Sequence, residues 1–196
     1  RYEADLKPGE TVFIQAGASG LGIAAIQTAK LMGATVVTSV GADDKAEFVR
    51  KLGADDAVNR KTEDPAVLFE RHSINVVLDC VGGSVLGGNI GKMAVGGRWI
   101  LISTLGGETA EIPLRPILKR AITLKGSTLR SRTNGMKGRI LADLERELWP
   151  AIEKGTIRPV IHAVLPVGRA AEAHAILQSG KNTGKVVLTI VPLFYL

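Results

Sequence analysis

The sequence predicts an α/β protein built on a doubly wound parallel sheet. Two patterns carry that expectation. Apolar, β-branched runs alternate with helical periodicity along most of the chain, and the first such run breaks into glycines where the first helical pattern begins. Composition agrees, because 196 residues that are 45% hydrophobic but only 4% aromatic, with 23 glycines, suit strands buried on both faces beneath helices.

The elements follow in order. Residues 11–16 read as a strand behind the turn signal Pro8-Gly9-Glu10, residues 21–31 as a helix, and residues 35–40 as a second strand at the spacing of a strand-helix-strand unit. Helical patterns at 43–52, 64–72 and 85–93 alternate with strand-like runs at 57–59, 75–79, 98–102 and 122–127, which gives about six parallel strands joined by right-handed crossovers. Residues 136–154 read as a helix broken near Trp149-Pro150, because proline lacks the N–H that a helix interior needs. A different unit then follows, with a strand at 161–167, an alanine-rich helix at 168–179 and a last strand at 185–191. The expected division is a cofactor unit at 1–154 and a C-terminal segment at 155–196.

In such sheets ligands sit beyond the carboxyl ends of the strands, so the loops 17–22, 41–45, 59–60, 79–83, 103–107 and 128–130 form the candidate site. The sharpest of them is Ala16-Gly-Ala-Ser-Gly-Leu-Gly22. A strand that turns at once into a helix presents backbone N–H groups and a positive dipole end, where a dinucleotide pyrophosphate binds. NAD-binding versions carry a ribose-gripping acid about 20 residues past the glycines. Val40 stands at that distance from Gly20, with Lys45 and Arg60 close behind, so the expectation is a 2′-phosphate and hence NADP(H). Asp43 and Asp44 would oppose a phosphate; the sequence assigns them to capping the helix that follows.

Several classes are disfavoured. No run of about 18 apolar residues is present, and a soluble, cytoplasmic protein is expected, with no membrane partner. One cysteine, Cys80, cannot form an internal disulfide, and His72, His162 and His174 lack metal-ligand spacing. The net charge of +6 raises the question of nucleic acid, but basic residues are interspersed with acidic ones and aromatics are scarce. RNA binding is the weakly supported reading of that charge, even at its densest cluster, 125–139.

By these residues the chain resembles the zeta-crystallin-like quinone oxidoreductases of the medium-chain dehydrogenase/reductase superfamily. The likeness rests on Pro8-Gly9-Glu10, the glycine turn, Lys51-Leu-Gly-Ala54, Leu78-Asp-Cys-Val-Gly-Gly83, Gly97-Arg-Trp99, Leu129-Arg-Ser-Arg132, Ala173-His174 and Asn182-Thr-Gly-Lys185. Two of these, Asp79-Cys-Val-Gly-Gly83 and Leu129-Arg-Ser-Arg132, look most like the tumour-suppressor-inducible branch. The resemblance implies a Rossmann-type cofactor domain in which Ser19, Gly20 and Leu21 contact the pyrophosphate and Gly41, Lys45 and Arg60 surround the 2′-phosphate. It also implies that Thr104, Leu105, Thr128 and Leu129 flank the nicotinamide and that Asn182 reaches the cofactor from the tail.

Members of that family begin with a GroES-like substrate domain, onto which residues 155–196 would fold, so the resemblance implies that the chain lacks that domain and is inactive alone. The implied parent activity is zinc-independent hydride transfer from NADPH to a quinone or other conjugated carbonyl, in a homodimer joined at the sheet edge, 122–127. No residue is assigned a catalytic role. Two alternatives stand beside it: an enoyl reductase module of a fatty-acid or polyketide synthase, and a noncatalytic NADPH-binding or RNA-binding module.

Overall fold

The computed structural model describes residues 2–190. Six strands, β1 (Thr11–Ile14), β2 (Thr35–Val40), β3 (Asp56–Asn59), β4 (Val76–Asp79), β5 (Arg98–Leu101) and β6 (Thr123–Gly126), form a wholly parallel sheet in the order β3-β2-β1-β4-β5-β6. This is the Rossmann-type arrangement. Val12 of β1 lies beside Val36 on one side and Val76 on the other, so the strand order reverses at β1 and leaves a crevice over its carboxyl end.

Adjacent residues of each strand serve opposite faces. Ile14 and Val36 pack with Ile26, Ala29 and Val49 of α1 (Gly20–Leu31) and α2 (Asp43–Leu52). Phe13 and Val37 pack with Leu68 of α3 (Val67–Arg71), Leu86 of α4 (Gly83–Asn89) and Trp99. Burial on both sides explains why these strands read as continuous apolar runs.

Several elements differ from the sequence reading. The helix expected at 85–93 is α4 followed by a 3-10 turn at Ile90–Lys92, and the helix expected at 168–179 begins at Ala170 after a 3-10 turn. The helix expected at 64–72 contracts to α3 because Asp64 accepts the N–H of Ala66 at 2.9 Å, an Asx turn that starts the helix late. A helix not foreseen, α5 (Leu114–Arg120), contains Pro116. Pro116 falls in the first turn, where N–H groups have no intrahelical partner to lose. The long C-terminal helix breaks as expected into α6 (Asn134–Glu147) and α7 (Trp149–Glu153).

A separate parallel pair, β7 (Ile161–Pro166) and β8 (Lys185–Thr189), flanks α8 (Ala170–Ser179). The expected last strand at 185–191 thus appears as β8, and Val191 lies outside the described residues. Gln27 joins this unit to α1 through reciprocal bonds with the Arg158 backbone, both 3.0 Å. A second tie runs from the Gly184 N–H to the Ala18 carbonyl at 2.8 Å.

Asp79 locks the centre. Fully buried at the end of β4, its carboxylate accepts from Trp99 Nε1 (2.7 Å) and from the N–H groups of Val81 (2.7 Å) and Gly82 (2.9 Å). Trp99 stacks on Phe69, which meets Phe13 edge-on, so one carboxylate fixes β4, β5 and the loop after β4 together. Asp79→Ala strands three donors in the interior and is expected to cost about 2–4 kcal/mol in urea unfolding. A loss below about 0.5 kcal/mol would show that the tie does not bear on stability.

Candidate dinucleotide site

The turn between β1 and α1 is shaped by packing as much as by glycine flexibility. Ala16 adopts φ +54°, an uncommon left-handed conformation for a residue with a Cβ, and swings the chain over the sheet. A Cβ on Gly17 would stand 2.2 Å from Thr38 Oγ1, and one on Gly22 would stand 2.4 Å from the Ala16 carbonyl oxygen. The atoms nearest a Cβ on Gly20 would be those of the flexible Lys185 side chain. Ser19 caps α1, its Oγ accepting the Gly22 N–H at 3.0 Å. The positive end of a 12-residue helix therefore opens at the crevice, with Gly20 and Leu21 as its first residues. Beneath it the buried Gln15 side chain has an Nε2 with no acceptor among the described residues.

At the end of β2 no carboxylate is present; Val40 is followed by Gly41 and Ala42. Arg60, exposed behind β3, places Nη2 3.5 Å from the position a Gly41 Cβ would take. Lys45 is buried instead, and its Nζ donates to the carbonyls of Gly180 and Asn182 at 2.7 Å each. Burial pushes the Lys45 ammonium below the usual lysine range; Asp44 opposes the shift, and Lys61 and Arg60 add to it. Asp43 and Asp44 do not cap α2 as expected. Ala42 occupies the cap position without a side-chain bond, and Asp43 accepts from Asn59 Nδ2 at 2.9 Å. Both acids still stand in the first turn, where a carboxylate complements the dipole.

The loops after β4 and β5 are zipped together. The N–H of Leu105 bonds the Cys80 carbonyl at 3.3 Å and that of Gly106 bonds the Val81 carbonyl at 2.8 Å. Leu105 is 82% exposed and Leu129, in the loop after β6, 61%. The Thr128 hydroxyl accepts the Arg130 N–H at 3.3 Å. Cys80 is half-buried, and burial and then Asp79 push its thiol up, which makes it a poor nucleophile. Part of the basic cluster is engaged internally, since Lys125 and Arg132 both pair with Glu3.

The expected site residues thus stand on the carboxyl edge of one sheet: Ser19, Gly20 and Leu21 after β1, Gly41 and Lys45 after β2, Arg60 after β3, Thr104 and Leu105 after β5, Thr128 and Leu129 after β6. Asn182 joins them through Lys45. The sequence reading passed over Lys185 and Gln15. Lys185 lay within a motif already singled out, whereas nothing in the sequence distinguishes a buried Gln15.

A family model for the zinc-binding dehydrogenases matches residues 20–145. The chain belongs to that family. Within it, the quinone oxidoreductase of Sus scrofa is 29% identical over 194 residues, covering 96% of this chain and 57% of that protein. A spectinabilin polyketide synthase system protein of Streptomyces orinoci is 32% identical over 194 residues, covering 96% of this chain and 8% of that protein. The quinone oxidoreductase of Thermus thermophilus, solved also as its complex with NADPH, superposes with a TM-score of 0.81 at 29% identity, covering 95% of this chain and 60% of that one. The chain therefore spans little more than half of these quinone oxidoreductases. The resemblance to quinone oxidoreductases of the medium-chain dehydrogenase/reductase superfamily is borne out.

Among the described residues of this zinc-binding dehydrogenase domain, no group of three or more His, Cys, Asp and Glu side chains could hold a metal ion. The described residues therefore do not fit zinc. The site does fit a phosphorylated dinucleotide, given the helix end, the cation at Gly41 and the absence of an acid at the last residue of β2 or the two that follow.

The glycines separate by their neighbours. Gly22→Ala drives a methyl into a backbone oxygen and is expected to lose about 2 kcal/mol or more, as overpacking does. Gly20→Ala displaces only a flexible side chain and should keep stability within about 0.5 kcal/mol. Thermal unfolding of both variants checks the contrast, and equal losses would contradict it.

Proposed function

We propose that this chain is the NADPH-binding part of an oxidoreductase that passes hydride to a quinone or another conjugated carbonyl. The carrying observation is the carboxylate-free end of β2 with Arg60 lying over Gly41, beside the glycine-turned start of α1. The NADPH complex of the Thermus quinone oxidoreductase supports the cofactor. On this reading Ser19, Gly20 and Leu21 hold the pyrophosphate, and Gly41, Lys45 and Arg60 form the 2′-phosphate corner. Thr104, Leu105, Thr128 and Leu129 flank the nicotinamide, with Asn182 reaching in from the tail. Bound NADPH would supply the hydride itself. The protein's part is orientation and dryness, and the exposed side chains of Leu105 and Leu129 are apolar walls suited to excluding water from the ring. The transfer is proposed to need no zinc.

The quinone assignment has a rival with specific support, an enoyl reductase module, because polyketide synthase proteins match 96% of the chain. Turnover of an ortho-quinone against a 2-enoyl thioester by the protein carrying this chain separates the two. We further propose a homodimer through β6, the exposed last strand of the sheet, since an open edge invites pairing. Among the described residues no helix is long and apolar enough to cross a membrane, and a cytoplasmic setting suits the proposed cofactor.

Calorimetric titration with NADPH and NADH tests the cofactor reading. NADPH is expected to bind at least about tenfold more tightly, the effect of about 1.4 kcal/mol from charged hydrogen bonds to the extra phosphate. Equal affinities would overturn it. For assembly, light scattering should give a dimer, and Leu124→Pro, which spoils the edge of β6, should give a monomer. A monomeric parent protein would count against the interface.

A further inference from the structure

The C-terminal unit meets the glycine turn in a register that lays a cation on the start of α1. A parallel bridge pairs Ser19 with Gly184, and the Gly184 N–H donates to the Ala18 carbonyl at 2.8 Å. Gly184 has φ +81°, and a Cβ there would lie 2.2 Å from the Val160 carbonyl oxygen, so no side chain can come between the two segments. The next residue of each is brought alongside the other, Gly20 on the turn and Lys185 at the start of β8. Lys185 lies across Gly20, its Nζ 2.8 Å from the position a Gly20 Cβ would take. The residue is exposed, and its ammonium has neither a carboxylate nor a hydrogen-bond acceptor among the described residues. A helix start carries roughly half a positive charge, and cations are favoured at the other end. Within α1 the first-turn N–H groups of Gly20 and Leu21 have no intrahelical acceptor either. Two open donors and an ammonium thus gather at one point with nothing negative among them, an arrangement that an anion would relieve.

We propose that Lys185 is a pyrophosphate-binding residue, supplied by the C-terminal unit, whose ammonium neutralises the diphosphate held at the start of α1. The proposal rests on the cofactor reading above and adds to it a ligand from β8. Each phosphate group of the diphosphate carries a negative charge that neutral backbone donors meet only in part, whereas an ammonium forms the stronger, charge-assisted hydrogen bond. Lys185 also has room to make it. A cavity of about 240 Å³, bordered by Gly20, Ile23, Gln27 and Val160, lies beside the side chain, so the ammonium can move off Gly20 as the anion arrives. Because the diphosphate is common to NADPH and NADH, Lys185 serves both alike, which separates its role from that of the groups at the 2′-phosphate.

The test is calorimetric titration of NADPH, NADH and inorganic pyrophosphate into the protein carrying this chain and into its Lys185→Gln and Lys185→Arg variants, with thermal unfolding of each in the absence of ligand. Lys185→Gln should weaken NADPH and NADH by a common factor of about tenfold or more, keep the ratio between them, and weaken pyrophosphate likewise. Lys185→Arg, which keeps the charge, should recover most of the loss. Without ligand, Lys185→Gln should melt within about 2 °C of the parent or above it, because the cation it removes has no partner to lose. Unchanged nucleotide affinity in Lys185→Gln would overturn the proposal, as would a loss confined to NADPH. A loss that Lys185→Arg does not repair, accompanied by a lower melting temperature without ligand, would also overturn it, since that is the mark of a packing role. If the parent bound pyrophosphate through Lys185 but neither nucleotide, the cofactor reading would fall and Lys185 would remain a diphosphate ligand. Binding of none of the three would remove both.

Discussion

The reversal of strand order at β1 is the constraint on which the rest of the structure depends. Because β1 pairs in parallel with both β2 and β4, the crossover helices must leave its two sides toward opposite faces of the sheet. No helix can then close over the carboxyl end of β1. The crevice is held open by the same pairing that makes the core, with Phe13 and Ile14 buried on opposite faces of a single strand. Asp79 performs the matching task on the other half, binding the indole of β5 and the backbone of its own loop so that the walls beyond β4 and β5 stand at fixed positions.

Electrostatics then set what the crevice can receive. The start of α1 offers a positive dipole end, Val40 offers no acid, and Arg60 offers an exposed guanidinium. Lys45, close by, is buried, and its ammonium is shared between the carbonyls of Gly180 and Asn182. Quinone oxidoreductases and polyketide synthase proteins both match over 96% of the chain.

Much of this was legible in the sequence because it is local. β2 and α2 have the bounds their periodicity predicts, and the glycine turn lies where strand pattern gives way to helix pattern. Element ends were less legible where side chains compete with backbone, as at Asp64, or where a proline sits in a helix's first turn, as at Pro116. The Asp43-Asp44 pair was misassigned for a related reason, since Asn59, 16 residues away, claims the Asp43 carboxylate that a cap would have used. Least legible were the long-range ties. The bonds from Lys45 to residues 180 and 182 span 135 and 137 positions, and the Nε2 of Gln15, without an acceptor among the described residues, has no signature in sequence at all.

A crystal structure with NADPH bound tests the central claim most directly, that one crevice at the β1–β4 reversal receives the whole cofactor. The account predicts pyrophosphate oxygens on the backbone N–H groups at the start of α1, the 2′-phosphate within hydrogen-bonding reach of Arg60, and the nicotinamide between the loops after β5 and β6. Pyrophosphate density away from α1, or a 2′-phosphate turned from Arg60 into solvent, would contradict it.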